Sequence, residues 1–166
     1  QNNIAEDGSD IGITKNSGSL YCIDKDLNIT NHENDIGISN TFAWSPQNDK
    51  FYFSDTLTST IFVYDYDYKN KIISNKKEFA KFERGYPDGS TVDSEGFLWN
   101  CRWDGSCVVR FNPNGEVDRV VELPVPNVTS CTFGGKDLKT LFITTARMGM
   151  TNEQLENTPH AGSLFA

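Results

Sequence analysis

The sequence repeats one pattern of short strand-forming runs, and this repeat limits the folds available to the chain. Three polar residues, Asn40, Asp88 and Ser130, occupy equivalent positions in successive copies, 48 and 42 residues apart. Each copy joins four aromatic or β-branched runs through turn sequences. The third run of each copy recurs at residues 19–24, 60–65, 107–112 and 163–166. A period of about 40–50 residues with four antiparallel strands is typical of a β-propeller blade.

We therefore predict an all-β fold with about three and a half blades in this chain. The predicted units are a loop with the second half of a blade, two full blades and an incomplete blade, at residues 1–37, 38–83, 84–126 and 127–166. Propellers close with about four to eight blades. We expect a fragment of a longer protein; two copies could instead complete one ring, or exposed blade faces could drive self-association.

Two segments between the repeats have their own local signals. Residues 1–16 are polar and lack periodicity, so they predict a long loop. Residues 151–159 begin with Thr and end with Pro, which predicts one helical turn.

Charge and hydropathy exclude several classes of partner. The net charge is −8 and the pI is about 4.7, with no basic cluster, so neither nucleic acid nor an anionic membrane is expected. No apolar run reaches the ~18 residues of a membrane span, and Gln1 does not open a signal peptide. We expect a cytoplasmic protein.

The four cysteines do not form a zinc-type or disulfide-rich pattern. We predict free thiols that pack as small apolar side chains. A disulfide between Cys101 and Cys107, which flank a predicted hairpin turn, is the alternative.

Asn40 and Asp88 are the candidate ligands for a divalent metal ion. In a propeller the innermost strands line the central channel, and both residues stand where such strands begin. Their oxygens suit Ca²⁺, Mg²⁺, Mn²⁺ or Zn²⁺. On spacing alone, ordinary turn chemistry is the simpler explanation of an Asn or an Asp-Gly before a strand.

Several other side chains could take part in catalysis or binding, but structural roles are expected of them. Asp55 and Asp93 end strands before turns, so capping is expected of both. Arg102 and Arg147 could bind an anionic product, but salt bridges are the simpler expectation. The three tryptophans, Trp44, Trp99 and Trp103, are expected to pack between blades.

Phrases along nearly the whole chain resemble the senescence marker protein (regucalcin), gluconolactonase and luciferin-regenerating enzyme-like family. They include residues 38–46, 51–56, 61–67, 87–89, 98–103, 109–113, 122–126, 129–135 and 143–147. The resemblance implies a six-bladed propeller that hydrolyses sugar lactones with one divalent metal ion. It implies that Asn40 and Asp88 are metal ligands, and that a third ligand, a Glu from an earlier blade, has no counterpart here.

The resemblance also implies a mechanism in which metal-bound water attacks the lactone carbonyl. Asp88 would be both ligand and general base. Asp7 falls on an acidic substrate contact of some members, with Asp in place of Glu shortening the reach. A non-enzymatic calcium-binding propeller, or an inactive fragment lacking the Glu ligand, is the alternative.

Overall fold

The structure is a computed structural model that describes residues 3–8, 10–13 and 15–166. Almost all of its regular structure is antiparallel β-sheet. Two sheets have two strands: β1 (Asn3–Ile4) with β2 (Asp10–Gly12), and β3 (Gly18–Ile23) with β4 (Ile29–Ile36). Two sheets have four strands: β5 (Ser39–Trp44), β6 (Lys50–Asp55), β7 (Thr60–Asp67) and β8 (Ile72–Lys81), then β9 (Tyr86–Val92), β10 (Leu98–Trp103), β11 (Cys107–Phe111) and β12 (Val117–Glu122). The last sheet has β13 (Val128–Gly134), β14 (Thr140–Thr145) and β15 (Leu164–Phe165).

Strand order within each sheet follows the chain, as the repeat predicts. Each strand from β5 to β8, and each from β9 to β12, pairs with the next through a short turn. The first strands β5, β9 and β13 pack side by side, with β9 in the middle. This arrangement of stacked antiparallel sheets is that of a propeller-type fold.

The prediction of a long loop at residues 1–16 is wrong in part. Strands β1 and β2 pair antiparallel, with Asn3 opposite Gly12 and Ile4 opposite Asp10. The Gly8 N–H closes the turn between them by donating to the Ala5 carbonyl at 2.9 Å. Strands of two and three residues are too short for a period-2 pattern, which explains why periodicity does not detect them.

The core lies in three layers between successive sheets. β6 shows the reason, because Phe51 and Phe53 face the β3–β4 sheet while Tyr52 faces the β9–β12 sheet. Successive side chains of a strand point to opposite faces of the sheet, and both sets are apolar in a central strand that is buried on both faces. The third layer, between β9–β12 and β13–β15, contains Cys101, Val108, Leu123, Val125, Val128, Cys131, Ile143 and Ala161.

Trp44 does not pack in the core as expected. Its side chain is 46% exposed, and the neighbouring Phe42 is 47% exposed. Both lie on the face of β5 that alternates with buried Thr41 and Ala43. On that side they line an open surface groove together with residues of β3 that include Leu20 and Ile23.

The cysteines are free thiols, as predicted. Cys101 pairs across the sheet with Val108, and Cys107 pairs with Arg102, so the two cysteines are not opposite each other. Burial raises the pKa of the Cys101 thiol well above its usual value, and contact with Cys131 adds to the increase.

One short helix, α1 (Asn152–Asn157), confirms the predicted helical turn. The Thr151 side chain accepts from the Gln154 N–H, and the Gln154 side chain accepts from the Thr151 N–H, which forms a capping box. Within the described residues, no helix has the length and apolar character needed to cross a membrane.

Candidate metal and substrate site

Asn40 stands near the start of β5 with its side-chain amide held in one orientation. Its Nδ2 donates to the Thr56 hydroxyl at 2.8 Å, and that hydroxyl donates to the Pro87 carbonyl at 2.9 Å. Thr56 therefore links Asn40 to the residue immediately before Asp88. No donor among the described residues reaches Asn40 Oδ1, so this oxygen is available to a ligand.

The segment leading into β5 is fixed by Asp55. This buried carboxylate accepts from the Gly37 and Ile38 N–H groups at 2.9 Å each, and from the Leu57 N–H at 3.2 Å. It also caps the 3₁₀ turn Thr56–Thr58, which positions the Thr56 hydroxyl. The expectation that Asp55 is a cap is confirmed.

Asp88, the third residue of β9, is a partly buried carboxyl without a cationic partner. Burial raises its pKa to about 6, and a hydrogen bond from the Gly89 N–H offsets this only in part. No other group in the described part of the chain stabilises the charged form. A carboxylate removed from water without a counter-charge is unfavourable, so this position suits a cation.

Gly89 allows β9 to approach the next inner strand closely. A Cβ at this position would lie 2.5 Å from Ser130 Oγ and 2.8 Å from the Thr129 carbonyl oxygen, distances that a real side chain does not tolerate. The starts of β5, β9 and β13 therefore converge around Asp88, with Asn40 on one side and Ser130 on the other.

Arg102 is neither an anion ligand nor a salt-bridge partner, contrary to both sequence interpretations. Its side chain is 0% exposed and donates to the carbonyls of Phe82, Arg84 and Gly85 at 2.9, 3.1 and 2.7 Å. Burial lowers the pKa of this guanidinium to about 10. Backbone carbonyls thus replace the expected carboxylate, a possibility that the sequence alone does not reveal.

Arg102 also donates to Asn100 Oδ1 at 3.0 Å, and Asn100 extends the network toward Asp88. The Asn100 Nδ2 donates to Ser90 Oγ at 2.9 Å and to the Asp88 carbonyl oxygen at 3.2 Å. None of the sequence-based expectations includes Asn100. Its signal was the alternation of Asn100 and Arg102 on one face of an otherwise apolar strand.

Asp93, at the opposite end of β9, is fully paired, as its interpretation as a cap predicts. Its carboxylate accepts from the Phe97 N–H at 3.0 Å, the Trp99 indole at 2.9 Å and the Arg110 guanidinium at 2.6 Å. Burial opposes ionisation, but these hydrogen bonds outweigh it and hold the pKa of Asp93 below its usual value.

Asp7 lies on the exposed turn between β1 and β2. Its assignment to substrate binding stays a prediction, as does the assignment of Asn40 and Asp88 to a metal ion. Among the described residues, no group of three or more His, Cys, Asp or Glu side chains could hold a metal by itself. Asn40 and Asp88 could therefore supply only part of a ligand set.

This fold places the chain in the class of propeller-type proteins, in which the first strand of each sheet lines a central channel. The chain belongs to one family within that class: the region described as SMP-30/Gluconolactonase/LRE-like matches residues 3–147.

Individual relatives agree with this assignment. Regucalcin of Gallus gallus is 36% identical over 98% of this chain and 55% of its own length. The crystal structure of a calcium-binding protein, regucalcin, from Agrobacterium tumefaciens has a TM-score of 0.86 and 28% identity, over 91% of this chain and 52% of that one. A gluconolactonase from Xanthomonas campestris has a TM-score of 0.67 and 27% identity, over 76% and 41%. The chain thus spans about half the length of the curated relatives it matches.

Proposed function

We propose that the intact protein hydrolyses sugar lactones such as gluconolactone, with one divalent metal ion bound in part by Asn40 and Asp88. The observation that carries the proposal is the Asp88 carboxyl, which is partly buried without a cationic partner, next in sequence to the Pro87 carbonyl that Thr56 links to the oriented amide of Asn40. Membership of a family that includes gluconolactonases supports the reaction class. We also propose a six-bladed ring and a cytoplasmic location.

The residues present fit a hard divalent cation. Asn40 would offer a neutral amide oxygen and Asp88 a carboxylate, both of which suit Ca²⁺, Mg²⁺ or Mn²⁺ and, with a carboxylate, Zn²⁺. Because Asn40 is a neutral ligand, the bound cation would keep more of its positive charge than it would with a carboxylate in that position. The third ligand implied by the family resemblance, a Glu carboxylate, has no counterpart in this sequence, and the proposal concerns the intact protein for that reason.

When bound, a divalent cation would lower the pKa of a water molecule and stabilise negative charge on the lactone carbonyl oxygen. Asp88 would accept the proton of the attacking water on a carboxylate oxygen and later return it to the departing ring oxygen. In the metal-free protein burial raises the pKa of Asp88 to about 6, and a bound cation would lower it by favouring the carboxylate. Gly89 allows the neighbouring inner strand to lie close to the backbone beside Asp88.

Chelation and reconstitution of the full-length protein test this function. We expect gluconolactone hydrolysis, followed as acid release, to fall at least about 100-fold after metal removal and to return with one of Ca²⁺, Mn²⁺, Mg²⁺ or Zn²⁺. Unchanged turnover in fully metal-stripped protein would refute the metal-dependent mechanism. No turnover of any aldonolactone by metal-loaded protein would refute the lactonase function.

A non-enzymatic calcium-binding role is the second candidate, because relatives about 35% identical are regucalcins and one similar structure is described as a calcium-binding protein. The same ligands would serve it. Tight Ca²⁺ binding by calorimetry, without turnover under any metal, would favour this role over the enzyme.

A further inference from the structure

Thr41, the residue after Asn40, has an unusual backbone conformation at the candidate site. Its φ is 56°, in the left-handed region that β-branched residues rarely adopt, and its side chain is 1% exposed. The pairing of β5 with β6 is irregular between Asn40 and Ala43, so Thr41 is at a bulge. Such a conformation persists only where surrounding contacts stabilise it, and it is concentrated at functional sites.

The contacts that stabilise Thr41 lead directly to Asp88. The Thr41 hydroxyl donates to the Asp88 carbonyl oxygen at 2.9 Å and accepts from the Ser54 hydroxyl at 3.0 Å. One hydroxyl therefore ties the residue beside one candidate ligand to the backbone of the other. Because a hydroxyl has a single hydrogen, its donation to Asp88 leaves it only as an acceptor for its other neighbours.

Asn100 holds the same carbonyl from the other side. Its side chain is 0% exposed, and the Arg102 guanidinium, which can only donate, requires Asn100 Oδ1 to face it. The Asn100 Nδ2 must then point toward Ser90 and the Asp88 carbonyl oxygen, as it does at 2.9 and 3.2 Å. Arg102 thereby fixes the orientation of the amide, and the amide fixes the position of Asp88.

We propose that Thr41 and Asn100 are positioning residues that set the spacing between Asn40 and Asp88 and so determine how tightly the site binds its metal ion. This inference rests on the proposed function. Neither residue would touch the metal or the substrate; both act through the backbone of Asp88. Supporting residues of this kind typically contribute about 10–100-fold to metal affinity.

The test compares Thr41→Val with Thr41→Ser in metal-stripped full-length protein, with Mn²⁺ binding measured by titration calorimetry. Valine removes the hydroxyl but keeps the β-branched shape, while serine keeps the hydroxyl. We expect Thr41→Val to weaken Mn²⁺ binding about 10-fold or more, and Thr41→Ser to stay within about 3-fold of wild type. The Mn²⁺ concentration for half-maximal turnover should shift by the same factor.

Thr60→Val is the matched control for general destabilisation. Thr60 is 4% exposed, and its hydroxyl donates to the Thr58 carbonyl at 3.0 Å outside this network. We expect Thr60→Val to lower the melting temperature while leaving Mn²⁺ affinity within about 3-fold. Equal affinity losses in Thr60→Val and Thr41→Val, or wild-type affinity in Thr41→Val, would overturn the positioning role.

Ser90→Ala provides a milder variant if Thr41→Val does not fold. It removes the acceptor at 2.9 Å from Asn100 Nδ2, and we expect about 3- to 10-fold weaker Mn²⁺ binding. Wild-type affinity in Ser90→Ala would then overturn the inference. Wild-type protein that binds neither Mn²⁺ nor Ca²⁺ would overturn both this inference and the proposed metal site, whereas normal wild-type binding with unaffected variants overturns the inference alone.

Discussion

Strand β9 has a carboxylate near each end, and the two are treated differently by the rest of the molecule. Asp93 accepts hydrogen bonds from backbone N–H groups, the Trp99 indole and the Arg110 guanidinium, which hold its pKa below the usual value despite burial. Burial raises the pKa of Asp88 to about 6, and only the Gly89 N–H opposes that increase. In the sequence the two residues look alike, because each is an acidic residue placed where a strand adjoins a turn.

The difference separates a structural carboxylate from a candidate functional one. Arg110 beside Asp93 also pairs with Glu95 at 2.6 Å and Asp118 at 2.9 Å, and its guanidinium lies 3.7 Å from the centre of the Phe97 ring. At the Asp88 end the buried donors contact the backbone carbonyl instead of the carboxylate. The chain therefore holds the Asp88 main chain firmly while leaving its charge unpaired, as a ligand position requires.

The largest difference between the two carboxylates is expected in catalysis. We predict that Asp88→Asn lowers kcat for gluconolactone by about 10³-fold or more, because both a ligand oxygen and the proton acceptor are lost. Asp93→Asn should change kcat less than about 10-fold. Asp104→Asn, the same charge change at an exposed turn, is the control and should match wild type. An Asp88→Asn protein with near-normal kcat would contradict the role assigned to Asp88.

The next effect is on stability and falls on the other carboxylate. Asp93→Ala removes the partner of the Trp99 indole and the most buried of the three carboxylates that pair with the Arg110 guanidinium, which is 11% exposed. We predict a loss of about 2–4 kcal/mol in the free energy of unfolding, measured by urea denaturation at pH 7. Asp137→Ala in an exposed turn is the control. A loss below about 0.5 kcal/mol would mean that the Arg110 cluster contributes little.

The smallest expected effect is on the pH dependence of stability, where a substitution of Asp88 should stabilise the protein instead of destabilising it. In metal-free protein the pKa of Asp88 is about 6 when folded, against about 3.9 when unfolded, so its ionisation destabilises the fold as pH rises from about 4 to 6. We predict that Asp88→Asn raises the melting temperature by about 2–6 °C at pH 7 and has little effect at pH 4. Scanning calorimetry at both values checks this. A lower melting temperature at pH 7 would show that Asp88 is stabilising.

The repeated strand pattern could be predicted from sequence because it depends on local alternation. The predicted runs at 60–65 and 107–112 coincide with β7 and β11, and the predicted helical turn has its Thr151 cap. The family was identifiable from phrases such as residues 87–89, and membership is confirmed. The pairing of β1 with β2 was missed because strands this short carry no period.

The environment of the site could not be predicted in the same way. The left-handed Thr41 has no sequence signal, since φ above zero usually requires Gly, Asn or Asp. Arg102 looked like a salt-bridge residue because carboxylates are the common partners of Arg, whereas its partners here are carbonyls from residues 17–20 positions away. Contacts of this kind depend on how strands meet in space, which composition and spacing do not encode.

The absent side chain at Gly89 has a consequence for how this protein can vary. Because a methyl group there would collide with Thr129 and Ser130, any other residue must push two inner strands apart. Substitutions at position 89 therefore cannot change the distance between β9 and β13 in small increments. Evolution or engineering of ligand preference must instead act at other positions, and a library that randomises position 89 is expected to return mostly misfolded protein.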